Sequence, residues 1–182
     1  MADITILEKP TPAQLLSQLD ILLDVEDVPL TLMANFASLL YWSMDEINWL
    51  GFYLLDRGVL RLGPFHGRPA CTRIATGRGV CGTAAAERRV LNVPDVLAFP
   101  GHIACDAASR SELVIPLIGM GRTAAPGFES EGHDREGSGR LIGVLDVASP
   151  MPDRFDPETE HMLTHAASLL LSRIGDRRVS VA

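Results

Sequence analysis

The chain has 182 residues, of which 47% are hydrophobic and 21% charged, and its formal net charge is −7 at pH 7. This length and composition are typical of one globular domain, which needs neither a metal nor a disulfide to fold. The acidic balance argues against a nucleic-acid partner, because phosphate backbones bind concentrated positive charge. The longest nearly apolar stretch, residues 28–42, is too short and too polar to cross a membrane. The first residues, MADITILEKP, lack an export pattern, so we expect a cytoplasmic protein.

Two helices are predicted within residues 1–45, before the first strand. Thr11, Pro12 and Gln14 form a capping box with proline at the first helical position. Leucines follow at helical spacing, which indicates a first helix of about 14 residues. Pro29 begins the second helix, which has its own apolar face.

From Ile47 the hydrophobic period becomes that of strands, and the turn at 56–58 makes the first two strands an antiparallel hairpin. The final helix begins at Asp156 and Pro157 and ends near Gly175. This order predicts an α+β fold in one domain over residues 1–182, with a largely antiparallel sheet and a closing C-terminal helix. The remaining pattern predicts strands over 47–55, 59–65, 69–74, 90–93, 113–118 and 141–147, and a small-residue helix over 80–88.

Residues 121–139, GRTAAPGFESEGHDREGSG, differ in composition from the rest of the chain. Glycines and mixed charges with few apolar residues predict a mobile loop between two strands. A solvated insertion is favoured over a functional lid, and His133 is interpreted as a surface histidine.

The chain has three cysteines, at positions 71, 81 and 105. An odd number without an export signal does not indicate a structural disulfide framework. A zinc site that recruits His66 or His102 is an alternative, but the familiar ligand spacing is missing. From composition alone, buried thiols and a redox function are equally open.

Residues 77–82, GRGVCG, fit the G-x-G-x-x-G pattern of a dinucleotide-binding turn. That motif requires a parallel strand–helix–strand unit, whereas a hairpin is predicted before it here. The glycines are better explained by a tight turn that brings Cys81 close to other backbone.

Alternation in the first strand places Trp49, Gly51 and Tyr53 on one face and an apolar row on the other. Two large rings that flank a glycine leave a gap, which is a candidate binding site. An ordinary aromatic core with a glycine for close approach is the favoured interpretation from spacing alone.

Two carboxylates are also candidates. Glu112 directly precedes an apolar strand, and Asp146 lies within one, where a charge is costly unless it is paired or hydrogen-bonded. A structural hydrogen bond to a loop is the alternative for Asp146. Cys105 lies at a loop-to-strand junction close to His102, where a thiol pKa can be lowered, although His102 is equally well read as a loop residue.

The segments NWLGFYLL, LGPFHGRPAC, GRGVCGTA, GHIACDAAS, SELVIPL and LIGVLDVASP together closely resemble the free methionine-(R)-sulfoxide reductases, single-domain proteins of GAF fold. The resemblance runs from about residue 48 to the last helix. It implies that Cys105 is the catalytic nucleophile and Cys71 the resolving cysteine, and that Cys81 is a third cysteine near the site. Trp49 and Tyr53 match the aromatic residues around the substrate's methyl group and side chain.

By the same resemblance, Glu112 and Asp146 match acidic residues that line the pocket. The family usually has a second acid two positions after the one matched by Asp146, and this chain has Ala148 there. Since alternate residues of a strand share a face, Ala148 removes one pocket carboxylate. The long loop at 121–139 is a second departure from the family.

The resemblance implies reduction of free methionine sulfoxide by thiol chemistry, without a metal or an organic cofactor. Cys105 attacks the sulfoxide, its sulfenic acid condenses with Cys71, and thioredoxin reduces the resulting disulfide. One acid binds the substrate's ammonium group, and one with a raised pKa donates a proton. A homodimer is also implied. The alternative is a GAF module that senses a small molecule or a redox change without turnover.

Overall fold

The structure is a computed structural model that describes residues 9–24, 28–103, 105–119 and 139–175. Over these ranges the strands form one six-stranded sheet in the order β3-β2-β1-β6-β5-β4, and every neighbouring pair is antiparallel. The α+β prediction is confirmed. The elements are α1 (Pro12–Asp24), α2 (Pro29–Ser43), β1 (Trp49–Asp56), β2 (Val59–Gly67), β3 (Arg73–Ala75), α3 (Gly79–Glu87), β4 (Leu91–Val93), a short 3-10 helix (Val96–Ala98), β5 (Ser111–Gly119), β6 (Arg140–Ser149) and α4 (Pro157–Ile174).

The predicted capping box forms at the start of α1. The Thr11 backbone N–H donates to Oε1 of Gln14 at 2.9 Å, and the Gln14 N–H donates to Oγ1 of Thr11 at 3.3 Å. At the other end of the chain, the Asp156 side chain accepts from the Thr159 N–H at 2.7 Å and caps α4. These bonds satisfy donors that a helix N-terminus otherwise leaves unpaired, so both helices begin where the sequence predicts.

One face of the sheet carries the larger core. Helices α1, α2 and α4 pack there against the even-numbered residues of β1, Leu50, Phe52 and Leu54, which are 0–2% exposed. The opposite face carries α3 and a second cluster that includes Trp49 and Tyr53. The predicted two-face division of β1 is therefore confirmed, and it separates a structural face from the face that holds the candidate site.

The third strand differs from its prediction over 69–74, because it covers only Arg73–Ala75 and pairs with the start of β2. Pro69 has no backbone donor for a ladder, and Cys71 is drawn into a covalent bond with another loop.

Of the predicted mobile loop at 121–139, only Gly139 belongs to the described residues, and His133 lies outside them. No helix among the described residues is long and apolar enough to span a membrane.

Candidate active site

A pocket opens on the α3 face of the sheet, with about 510 Å³ of free space including its open mouth. Its walls come from α3, from the loop that precedes β5, and from β1, β5 and β6. Six of the seven predicted site residues line it, and the seventh, Cys71, is covalently bonded to one of these six. The lining residues are Trp49, Tyr53, Ala70, Ile74, Arg78, Gly79, Val80, Cys81, His102, Ile103, Cys105, Asp106, Ser109, Glu112, Asp146 and Ala148.

A disulfide joins Cys71, between β2 and β3, to Cys105, in the loop before β5. The two cysteines are 34 positions apart in sequence, and their Cα atoms are 5.4 Å apart, within the usual range for a disulfide. Cys105 lines the pocket, and Cys81 is the remaining free cysteine of the three. A bond that involves a pocket residue suits a redox function better than a purely structural one.

A small hydrogen-bond network holds the loop that carries Cys105. Asn48 Nδ2 donates to Oδ2 of Asp106 and to Oγ of Ser109, each at 3.0 Å. Asp106 also accepts from the Ala108 N–H at 2.9 Å, which closes a local turn. Neither spacing nor resemblance indicates Asn48, Asp106 or Ser109 as site residues. The Asp106 turn has a recognisable signal, an aspartate followed by small residues, but the Asn48 contact joins distant segments and has none.

Three protonatable side chains meet at the floor of the pocket. Cys81 in α3 donates from Sγ to Oε1 of Glu112 in β5 at 3.6 Å, and Asp146 in β6 lies beside both. The sulfur and one oxygen of each carboxylate lie within 4.8 Å of one another. Asp146 is 8% exposed, and its Oδ1 has no hydrogen-bond partner among the described residues. The structural hydrogen bond to a loop that was the alternative for Asp146 is not found among these residues.

Burial decides the protonation of this cluster. It raises the pKa of Glu112 well above the ordinary value, and the adjacent Asp146 charge raises it further. The pKa of Asp146 rises to about 6, again through burial, while hydrogen bonds from Cys81 and Glu112 limit the rise. Burial followed by the two carboxylates also raises the pKa of the Cys81 thiol. Within this cluster Glu112 therefore keeps its proton to a higher pH than Asp146 does, and the thiolate form of Cys81 is disfavoured.

The aromatic wall lacks the gap predicted over Gly51. The Trp49 ring itself lies over this glycine and stacks between Phe65 and Tyr53, with centroid distances of 5.6 Å and 5.8 Å. A side chain at position 51 would collide with Phe65 and with the Trp49 ring. The glycine therefore allows close aromatic packing, which is the interpretation that spacing alone favours, and Trp49 and Tyr53 line the pocket from within this stack.

Position 148 lies on the pocket face, as alternation along β6 predicts. Ala148 pairs with Trp49 of β1 on one side and with Glu112 of β5 on the other. It is 7% exposed and lines the pocket together with Asp146. A carboxylate at this position would stand directly across from Glu112, so the alanine lowers the negative charge of the floor.

The two histidines considered for a zinc site lie in different places. His102 lines the pocket, and burial lowers its pKa. His66 stacks on Tyr41 with a centroid distance of 5.4 Å and is not among the lining residues. Arg78, which neither spacing nor resemblance indicates, is exposed and lines the same pocket as the two acids, to which it adds a positive charge.

The glycine-rich segment forms a tight turn into α3, on an antiparallel sheet that excludes a dinucleotide-binding unit. Gly77 and Gly79 have φ angles of +81° and +61°, which favour glycine. A Cβ at Gly82 would collide with the carbonyl of Ala75. The first turn of α3 lines the pocket, and its N-cap residue, Arg78, makes no side-chain hydrogen bond to the N–H groups of that turn.

The Asp146→Asn variant is expected to be more stable than the parent at pH 7.5. Folding raises the pKa of Asp146 from 3.8 to about 6, so the parent loses stability as pH rises through this interval. Since asparagine does not titrate, the gain in the free energy of unfolding over the parent is near zero at pH 4 and reaches at most about 3 kcal/mol above pH 6. Urea unfolding of both proteins between pH 4 and 8 measures it.

The matched control is Asp156→Asn, because hydrogen bonds from Thr159 lower the pKa of that exposed helix cap. The control should give no gain in stability at any pH in this range. A less stable Asp146→Asn variant at pH 7.5, or a gain that does not change with pH, would contradict the assigned burial cost.

Comparison with known proteins agrees with this geometry. The GAF domain family matches residues 17–174. The free methionine-R-sulfoxide reductase of Escherichia coli (strain K12) is 45% identical over 141 residues, which are 78% of this chain and 74% of the relative. The X-ray structure of free methionine-R-sulfoxide reductase from Neisseria meningitidis, in complex with its substrate, matches with a TM-score of 0.78 and 36% identity over 96% of each chain.

A putative GAF sensor protein from Burkholderia vietnamiensis matches with a TM-score of 0.77 and 42% identity, over 90% of this chain and 95% of that one. The fold alone thus occurs in proteins described as sensors and in proteins described as enzymes. The high identity to the reductases over most of the chain, together with the cysteine pair at the pocket, decides the family. The chain belongs to the GAF domain family and, within it, to the free methionine-R-sulfoxide reductases.

Proposed function

We propose that this protein reduces free L-methionine (R)-S-oxide to L-methionine. The observation that carries the proposal is the Cys71–Cys105 pair at a pocket that combines an aromatic wall with an acidic floor. A thiol that can be oxidised and then bonded to a neighbour is the chemical unit that sulfoxide reduction needs.

The pocket has complementary charges for both ends of a free amino acid. The ionised Asp146 on the floor binds the ammonium group, and Arg78 with the free N–H groups of the first turn of α3 binds the carboxylate. Trp49 and Tyr53 pack against the apolar side chain and the methyl group. A residue within a polypeptide lacks both end charges, so the pocket selects the free amino acid.

In the first step the Cys105 thiolate attacks the electrophilic sulfur of the sulfoxide. Glu112 is the proton donor, because burial and the Asp146 charge raise its pKa, and its proton passes to the sulfoxide oxygen. The oxygen passes to Cys105 as a sulfenic acid, and free methionine leaves.

In the second step the Cys71 thiol condenses with the sulfenic acid, which releases water and forms the disulfide. Thioredoxin then reduces this disulfide by thiol exchange and is itself oxidised, which returns both cysteines to thiols. Cys81 has no assigned part in this sequence. The resemblance also implies a cytoplasmic homodimer, and sedimentation of the purified chain tests its assembly.

The proposal is tested with a thioredoxin-coupled NADPH assay on the separate R and S diastereomers of free methionine sulfoxide. Turnover of the R form alone is the expected result. Turnover of the S form at a comparable rate would contradict the assigned specificity. A peptide that contains methionine sulfoxide is the control substrate and should not react.

The second candidate function is a non-catalytic GAF sensor, favoured by the missing carboxylate at Ala148. A sensor would bind the amino acid stoichiometrically, or form the disulfide reversibly, without releasing methionine. Absence of turnover for both diastereomers, with a folded and fully reduced protein, would favour this candidate over the reductase.

The Ala148→Asp variant is expected to lower KM for the sulfoxide by up to about tenfold, with a smaller change in kcat. The added carboxylate would stand across from Glu112 on the pocket face and provide a second charged partner for the ammonium group. Steady-state kinetics measure the effect. The control is Ala148→Asn, whose side chain has nearly the volume of aspartate but no charge, and it should not lower KM. Unchanged kinetics in both variants would show that the pocket does not need the acid.

A further inference from the structure

The floor of the pocket contains a thiol that the proposed reaction does not use. Cys81 is 4% exposed, and its sulfur contacts the Glu112 carboxyl at 3.6 Å. It is not part of the disulfide, so it persists as a thiol when Cys71 and Cys105 are oxidised. A buried cysteine alone is commonly a small apolar side chain, but this one lies between two carboxylates.

The arrangement of the three side chains is that of a ligand set. Cys81, Glu112 and Asp146 come from three different elements, and one potential ligand atom of each lies within 4.8 Å of the others. Asp146 is more than nine-tenths buried and lines the pocket, yet its Oδ1 has no hydrogen-bond partner among the described residues. Cys81 and Glu112 hydrogen-bond to this carboxyl, so Oδ1 is the acceptor that is left without a partner among the described residues.

The types of donor atom decide which cation the site would select. Sulfur and carboxylate oxygen together suit borderline-soft ions of the zinc class, while calcium and magnesium prefer oxygen ligands alone. Zinc lies about 2.3 Å from sulfur and about 2.0–2.2 Å from carboxylate oxygen, so small side-chain rotations bring these three groups around one ion. The open side of the pocket supplies the fourth position.

We infer that Cys81, Glu112 and Asp146 form a binding site for a thiophilic divalent cation such as Zn²⁺, and that this cation excludes the amino acid from the pocket. Exclusion follows because the cation takes Asp146, which binds the substrate's ammonium group, and Glu112, which donates the proton, so this second statement rests on the proposed function. The site would make the protein sensitive to inhibition by zinc-class metals.

Isothermal titration of Zn²⁺ into the disulfide form tests the site, because Cys81 is then the free thiol of the three. The expected result is one Zn²⁺ per chain, with binding weakened at least about tenfold by Cys81→Ser and by Glu112→Gln. Both substitutions keep the side-chain size, and circular dichroism checks that each variant folds. Co²⁺ as a second probe should show a thiolate charge-transfer band that Cys81→Ser removes.

A surface site is the competing explanation for bound zinc. His161 and His165 lie one turn apart on α4, are both exposed, and suit a divalent metal. The control variant His165→Gln should leave the thiolate-dependent binding in place. No binding, or binding that depends on His165 and not on Cys81, would overturn the inferred site.

Competition is measured with the metal-free and the Zn²⁺-loaded protein, using free methionine sulfoxide as the second ligand. Binding to the metal-free protein and at least about tenfold weaker binding to the loaded protein support exclusion. Equal binding to both overturns it. If the amino acid does not bind the metal-free protein, that result counts against the proposed function. The zinc titration still tests the metal site, because it does not involve the amino acid.

Discussion

The Cys105→Ser variant is expected to lose turnover of free methionine-R-sulfoxide by at least about a thousandfold. Cys105 lines the pocket and, in the proposed mechanism, provides the sulfur that attacks the sulfoxide, and a serine hydroxyl is a far weaker nucleophile at neutral pH. The coupled NADPH assay at saturating substrate measures the loss. A single-turnover assay that quantifies released methionine by chromatography should also detect none.

Serine at position 105 keeps the loop contacts that Asn48 makes with Asp106 and Ser109, so substrate binding should be retained. Calorimetric titration of methionine sulfoxide into the variant is therefore the control for an intact pocket. Residual turnover within tenfold of the parent would exclude Cys105 as the nucleophile. Loss of both turnover and binding would instead indicate a damaged pocket and would require the milder comparison with Cys105→Ala.

The Cys71→Ser variant is expected to release about one methionine per chain and then stop when thioredoxin is the reductant. Without Cys71, the sulfenic acid on Cys105 has lost the partner with which it forms the disulfide. A small dithiol reaches the exposed pocket and reduces the sulfenic acid directly. Turnover with dithiothreitol should therefore exceed turnover with thioredoxin, the reverse of the expected order for the parent.

Cys81 is the control for this experiment, since it is the other thiol near the pocket. Its sulfur is hydrogen-bonded to Glu112, and burial and the adjacent acids raise its pKa, which disfavours the reactive thiolate. The Cys81→Ser variant should still form one disulfide per oxidised chain by thiol titration and mass spectrometry. The contrary result is that Cys71→Ser cycles fully with thioredoxin and that the double variant with Cys81→Ser loses this cycling. That pair of results would show that Cys81, and not Cys71, is the resolving cysteine.

Local patterns in the sequence predict most of the fold correctly. The capping box at Thr11 and the proline at Pro157 mark the starts of two helices because a few adjacent residues satisfy the free N–H groups there. Alternation predicts the two faces of β1, because successive side chains of any strand point to opposite sides. The third strand was placed wrongly, because a distant disulfide and Pro69 override the local preference.

The candidate site was predicted in part, and by resemblance more than by spacing. Composition and spacing do not decide whether the cysteines are buried apolar side chains or redox groups. For Trp49 and Tyr53 they favour an aromatic core over a binding site. The structure brings these residues to one pocket and also adds Arg78 and the Asn48 network. Arg78 lies in a glycine-rich turn whose spacing fits a different function, so the sequence gives no reason to place its charge at this pocket.

By itself, the sequence determined the sheet's faces, the helix boundaries and the presence of Ala148 on the same face as Asp146. Each of these depends on contacts between residues that are near neighbours along the chain. Only the tertiary structure decided which acid keeps its proton to the higher pH, and it brought together the two cysteines that the family resemblance pairs. Cys71 meets Cys105 across two loops, and the pKa values of Glu112 and Asp146 depend on burial and on a charge from another strand. Such energies depend on distances through space, which the order of residues does not contain.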